Sequence, residues 1–391
     1  MLGLVAAGAW LAGCRRREVS LAERIDRAEA WGMGALIRAQ SPDGAWRSPT
    51  YGVFRDGLSL TPPVLKAIAF GPDVPGAATA RRRGAAYLAA RLRTDGSIDD
   101  GPFGLIYPVY TASAAAIALG RVEVPGGREA RAAWLRELWR RQLTDALGWG
   151  PDDPAYGAWG YAIEPPVKGE AQRRRIDADL SSSLFAIGAL KLAGVPVDDP
   201  ALRAAILFIQ RCQNLSDDGQ MADPRFDDGG FFFTPIDPVR NKAGEAGTDR
   251  EGRLRYSSYG SATADGLRAL LRCGLPPDHP RVAAAQRWLE QHFSATTNPG
   301  TFAPPREVER DATYYYYAWS VAHAFRALSE RGLMPGGQAS RWAEGLAREL
   351  IHRQRDDGTW SNRLTASKED DPLIATSFAV GALALARGQL R

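Results

Sequence analysis

Histidine, cysteine and lysine are scarce in this chain. Its 391 residues hold four His and three Cys, and only five of the 49 basic side chains are Lys. The histidines (His279, His292, His323 and His352) lack the close spacing of a multi-histidine metal cluster, so no metal site is expected. Three cysteines, Cys14, Cys212 and Cys273, exclude a scaffold stapled by disulfides. No apolar run reaches the ~18 residues of a membrane span. The basic charge rests on Arg, dispersed among 45 acids for a net +4. Without a concentrated basic tract, nucleic acid is not an expected partner. No Gly-rich phosphate loop occurs, because Gly32 and Gly34 lie inside a helical pattern, and no cofactor is expected. A hydrophobic content of 45% excludes a disordered chain.

Residues 1–14, MLGLVAAGAWLAGC, carry no charged side chain and suit the apolar region of a secretory signal. The run Leu11-Ala12-Gly13-Cys14 resembles a bacterial lipobox, which implies lipidation at Cys14 and a lipid-anchored protein of the cell envelope. A cytoplasmic chain with an uncleaved N-terminus is the alternative. No basic residue precedes the apolar stretch, and Arg15, Arg16 and Arg17 follow it. Residues 1–20 are therefore set apart from the folded region, 21–391.

That region repeats itself. Leu36, Gln40, Gly44 and Trp46 recur at the same offsets as Leu350, Gln354, Gly358 and Trp360. Leu88, Leu92, Gly96 and Ile98 make a decayed copy. Leu138 and Gln142 followed by Gly148-Trp149 make a third form, with extra residues before the glycine. Ile209, Gln213 and Gly219 make another, and Trp288-Leu289 leading through Phe293 to Gly300 makes the last. Each of the six copies closes an amphipathic helix, as Trp342, Leu346 and Leu350 illustrate. A different helix follows each motif. Thr111–Gly120, Ser181–Gly194 and Ile374–Gly388 are apolar or small around nearly the whole circumference, the pattern of a helix enclosed on all sides. Six pairs of one half-exposed and one enclosed helix predict an all-α fold, an (α/α)6 toroid forming one domain with an inner ring inside an outer ring.

These motifs resemble the prenyltransferase and squalene-oxidase repeat, named for its Gln and Trp, of the triterpene cyclases and protein prenyltransferase β-subunits. The resemblance covers nearly the whole chain after residue 25. It implies structural roles for Gln40, Trp46, Gln354 and Trp360. A class II cyclase of this type carries Asp-x-Asp-Asp at the start of an inner helix. Asp179 matches the first Asp, but Ser181 and Ser182 replace the other two, and a hydroxyl is too weak an acid to protonate an alkene. The zinc ligands of the protein prenyltransferases, an Asp-x-Cys pair and a later His, find no counterpart, since Gln210 and Leu271 precede Cys212 and Cys273 by two.

The centre of a two-ring barrel is its natural pocket. Asp179, Asp265 and Asp311 at the starts of inner helices are the candidate catalytic acids, although each also suits a helix cap. Trp159, Tyr161, Phe231, Phe232, Phe233, Tyr259, Tyr316 and Trp319 are the candidate ligand-binding aromatics. Asn241 to Arg255 reads as an irregular loop. The leading expectation is a toroid without recognisable cyclase or prenyltransferase acids that binds an apolar or aromatic-stacking small molecule, or a peptide, in its centre. The alternative is a terpenoid-cyclase-like or polysaccharide-degrading enzyme with an unidentified carboxylate site.

Overall fold

A computed structural model describes residues 19–169, 177–216, 223, 225–334, 337–364 and 367–390. Cys14 lies outside the described residues. Six helices form the outer ring: α1 (Leu21–Arg38), α3 (Ala77–Ala89), α5 (Gly127–Trp139), α7 (Pro200–Arg211), α9 (Pro280–His292) and α12 (Gln338–Arg353). Six alternate with them inside: α2 (Thr61–Phe70), α4 (Pro108–Leu119), α6 (Leu180–Leu192), α8 (Gly260–Arg272), α11 (Tyr314–Ser329) and α13 (Pro372–Gln389). The inner helices touch in the order α2, α4, α6, α8, α11, α13 and back to α2, so the ring is closed. One further short helix, α10 (Glu307–Ala312), precedes α11. Among the described residues no helix is long and apolar enough to cross a membrane.

The two rings follow from two compositions. In α6 every residue from Leu180 to Leu190 is buried, and in α8 every residue from Gly260 to Leu271. The outer helices bury one stripe: α7 covers Leu202, Ala205, Phe208 and Ile209 while its opposite face meets solvent.

The repeated Gln and aromatic residues join the rings. The Gln40 side-chain amide donates to the carbonyls of Gly44 (2.9 Å) and Ala80 (3.0 Å). Gln142 does the same to Gly157 and Ala201, Gln213 to Gly229 and Arg281, and Gln354 to Gly358 and Ala28. Each amide thus ties its own motif loop to the next outer helix, and Gln354 closes the outer ring back onto α1. The aromatic residue holds the inner ring. Trp46, Trp159 and Trp360 donate their indole N–H to the carbonyls of Leu36, Leu138 and Leu350, each at 2.7 Å. The backbone N–H of Trp46, Trp159, Phe231 and Trp360 donates to a hydroxyl on the following inner helix: Thr61, Ser183, Thr263 and Thr376.

This geometry corrects two expectations. The tryptophan of the third motif is Trp159, not Trp149, whose indole instead donates to the carbonyl of Pro166. The loop between Gln142 and Gly157 is long, so the offset seen in the first and last motifs is lost. Gly157 is obligatory there: its φ is +85°, and a Cβ would stand 1.9 Å from the Ala204 carbonyl oxygen. The stretch Asn241 to Arg255 is not wholly irregular. It contains β3 (Glu245–Thr248), paired antiparallel with β4 (Leu254–Tyr256), while β1 (Trp159–Gly160) pairs with β2 (Ala178–Asp179) just before α6. Cys212 and Cys273 are buried free thiols.

Trp360 is fully buried, so Trp360→Ala removes both its packing and its hydrogen bond. Urea unfolding should show a loss of about 3–5 kcal/mol. Trp139→Ala, at a half-exposed position, should change stability by no more than about 0.5 kcal/mol. Equal losses at the two sites would contradict the structural role of Trp360.

Candidate functional site

The inner ring encloses a cavity of about 1210 Å³. It extends from the loops preceding the inner helices, at Phe54, Tyr107, Tyr161 and Phe233, to the helix ends at Phe70, Leu192, Arg272 and Arg331. Its middle is aromatic. Phe185 of α6 lies 4.7 Å from Tyr110 of α4 and 5.5 Å from Trp319 of α11, centroid to centroid. Phe378 of α13 meets both Tyr316 and Trp319. Tyr161 stacks on Tyr110 at 5.6 Å, and their hydroxyls are 3.3 Å apart. Phe185 meets Tyr110 from the neighbouring helix and reaches Trp319 across the cavity, past α8.

Four of the eight aromatic candidates line the cavity: Tyr161, Phe233, Tyr316 and Trp319. The other four stand behind its wall. Trp159 and Phe231 hold the motif positions described above, and Gly266 leaves room for the Phe231 ring, which would stand 2.4 Å from a Cβ there. Phe232 packs on Tyr256, and Tyr259 on Phe302. Alternation in the loop before α8 sends Phe233 inward and Phe232 away, which a run of three phenylalanines does not reveal.

The three acids also separate. Asp179 is fully buried as the N-cap of α6: its carboxylate accepts from the Ser182 backbone N–H (2.7 Å) and hydroxyl (2.8 Å). Burial pushes its pKa up to about 7 against the pull of Arg240. Ser181, one residue into the helix, faces the cavity instead, and its hydroxyl bonds to that of Tyr316. Asp265 lies one side chain behind the wall. It accepts from the Tyr316 hydroxyl (2.6 Å) and from Ser320, and pairs with Arg268 at 3.5 Å. Ser181, Asp265 and Tyr316 therefore link α6, α8 and α11 in one buried network. Asp311 is exposed on α10 and does not line the cavity. Its position before Tyr314 suggested an inner-helix start, but α11 begins only after a break at Thr313.

Sequence reasoning missed the charged groups that do line the cavity. Glu369 accepts from the backbone N–H of Tyr315 (2.9 Å) and Tyr316 (2.8 Å), at the free N-terminal turn of α11. Burial outweighs those bonds and raises its pKa to about 7. It sits in Lys368-Glu369-Asp370-Asp371-Pro372, which reads as a turn, and Asp371 does cap α13. Asp177 and Arg240 form an ion pair at 2.8 Å, and Glu309 and Lys242 face the same end. Further down lie Lys66, Arg268, Arg272 and His323. Burial and the neighbouring arginines push Lys66 down to about 7 and Arg272 to about 9, and hold His323 neutral. Among the described residues no group of three His, Cys, Asp or Glu is placed to hold a metal ion.

Solved structures share this architecture. The type II terpene cyclase MstE from Scytonema, in a variant complexed with its substrate geranylgeranyl dihydroxybenzoate, matches with a TM-score of 0.57 at 12% identity, over 94% of this chain and 99% of that one. Unliganded MstE matches with a TM-score of 0.55 at 13% identity, over 95% and 100%. A protein from Actinoplanes matches with a TM-score of 0.52 at 17% identity, over 93% and 99%. No family model matches the sequence, and no curated protein does. The fold is thus the α/α toroid that type II terpene cyclases share.

Two raised carboxyls give a pH signature. A carboxyl whose folded pKa lies above its unfolded value stabilises the fold most when protonated, so stability falls as pH rises from the ordinary carboxylate range through about 7. Urea midpoints should therefore drop between pH 5 and pH 7.5, and Glu369→Gln should shrink that drop. An unchanged drop in the variant would show that Glu369 ionises normally.

Proposed function

We propose that this chain is a prenyltransferase-repeat toroid that holds an apolar, aromatic-stacking ligand in its central cavity. The carrying observation is the ring of Tyr110, Phe185, Tyr316, Trp319 and Phe378 around a cavity of about 1210 Å³. Such walls favour flat or apolar ligand bodies, with few polar groups to fix orientation. The binding of geranylgeranyl dihydroxybenzoate by the similarly folded MstE supports an apolar ligand of comparable kind. Alkene protonation does not belong to this reading. Asp179 is spent as a cap behind the wall, and a hydroxyl, Ser181, faces the cavity where the cyclase motif has its second Asp.

Glu369 favours a second reading, an enzyme. It is a cavity-lining carboxylic acid that stays partly protonated at neutral pH, the property a general acid needs. The resemblance of residues 11–14 to a lipobox supports attachment to the cell envelope through Cys14, on which Cys14→Ser should release the protein from the membrane fraction.

Fluorescence titration with the neutral probe 1-pyrenebutanol tests the binding reading. Saturable binding is expected, weakened about tenfold or more by Trp319→Ala. Squalene and geranylgeraniol should be recovered unchanged. A cyclised product that disappears in Glu369→Gln would replace the binding reading with the enzymatic one.

A further inference from the structure

We propose that the half of the cavity nearer the C-terminal ends of the inner helices is a binding site for the anionic group, carboxylate or phosphate, of an amphiphilic ligand. This rests on the reading that the cavity holds an apolar ligand, and adds the chemical class of that ligand. The site is built around Trp319. The Lys66 ammonium lies 4.7 Å and the Arg268 guanidinium 4.6 Å from its ring centroid, and the His323 ring packs edge-on at 4.7 Å. Arg272, one turn beyond Arg268 on α8, completes the group. Gly188 of α6 gives it space, since a Cβ there would stand 2.7 Å from the Arg272 Nη1.

Charge balance distinguishes this end from the other. Near the helix starts, Asp177 pairs with Arg240, and Glu309 and Glu369 face Lys242. Near the helix ends, among the described residues, the lining acid Glu330 pairs with Arg326 at 2.6 Å, and the buried acid Asp265 is taken up by Arg268, Tyr316 and Ser320. Among the described residues, Lys66 and Arg272 have no carboxylate within ion-pair distance and no hydrogen-bond partner. Cations in a cavity wall repel one another and cost solvation. Burial lowers the proton affinity of both; Arg268 and Arg272 add to this at Lys66, and Arg268 adds to it at Arg272, where Asp265 pulls the other way. An anion placed between them reverses each of these penalties and accepts charge-assisted hydrogen bonds. The aromatic wall above would hold the ligand's apolar body. Phe70 and Leu192, cavity-lining residues at the same end, are 50% and 59% exposed, so this end is open to an entering ligand.

The test compares 1-pyrenebutyrate with 1-pyrenebutanol, which differ only in the charged end. The carboxylate should bind about tenfold or more tightly. Lys66→Met and Arg272→Met should each reduce that preference, and neither should lower the unfolding midpoint of the free protein, because each removes a partly buried charge that no carboxylate pairs. Dodecanoate and dodecyl phosphate should both displace pyrenebutyrate better than dodecanol does, and the stronger of the two names the preferred anion. Equal affinity for the two pyrene probes, a preference that survives both substitutions, or equal displacement by dodecanol would overturn the anion site while leaving the cavity reading intact. Failure of both pyrene probes to bind would remove the cavity reading itself.

Discussion

A glutamine side-chain amide that reaches two backbone carbonyls is the constraint on which this structure depends. One acceptor is a loop carbonyl outside any helix, and the other belongs to the next outer helix, where a carbonyl has a second lone pair to offer. Gln40, Gln142, Gln213 and Gln354 each satisfy one carbonyl of their own loop and one of the next outer helix. The second contact makes the repeat a ring. Between Gln354 and Ala28 it spans most of the chain and brings the last outer helix against the first. The aromatic residue after each glutamine turns the link inward. Its backbone N–H finds a Thr or Ser hydroxyl on the inner helix, so outer and inner rings are set in register by the same few residues.

Closing the ring fixes what lies at its centre. Six inner helices leave an axial space that small residues such as Ala114, Ser181, Gly381 and Ala384 keep open and large rings narrow. Polar groups at this depth must be satisfied, and the network of Ser181, Tyr316, Asp265, Ser320 and Arg268 does so across three helices. Asp265 is consumed by that network, as Asp179 is by its helix cap. Asp179 and Asp265, singled out by their place at an inner-helix start, are hydrogen-bonded behind the wall, while Asp177, Glu309 and Glu369, which do line the cavity, lie outside the inner helices.

The ring was legible in the sequence wherever motif offsets were intact. The first and last motifs share one spacing because each glycine follows its glutamine by four residues. The third hides its tryptophan behind a long loop, so Trp159 looked like a ligand-binding aromatic rather than a scaffold residue. The fourth puts Phe231 where tryptophan stands elsewhere, and only its hydrogen bond to Thr263 identifies it. Inner helices were legible as all-round apolar segments, yet the same uniformity hides which face meets the cavity. Lys66, Arg268 and Arg272 were invisible for that reason: a single cation in an apolar helix carries no sign of its direction, and the charged cluster forms only when α2 and α8 meet across the ring.

The central claim is that the cavity lined by Phe185, Trp319 and Phe378 receives an apolar ligand. A crystal structure of the protein grown with 12-bromododecan-1-ol, read by bromine anomalous scattering, tests it directly. The account predicts an anomalous peak inside the inner ring, against Phe185, Trp319 and Phe378. Peaks confined to the outer surface, with the ring interior empty, would contradict it.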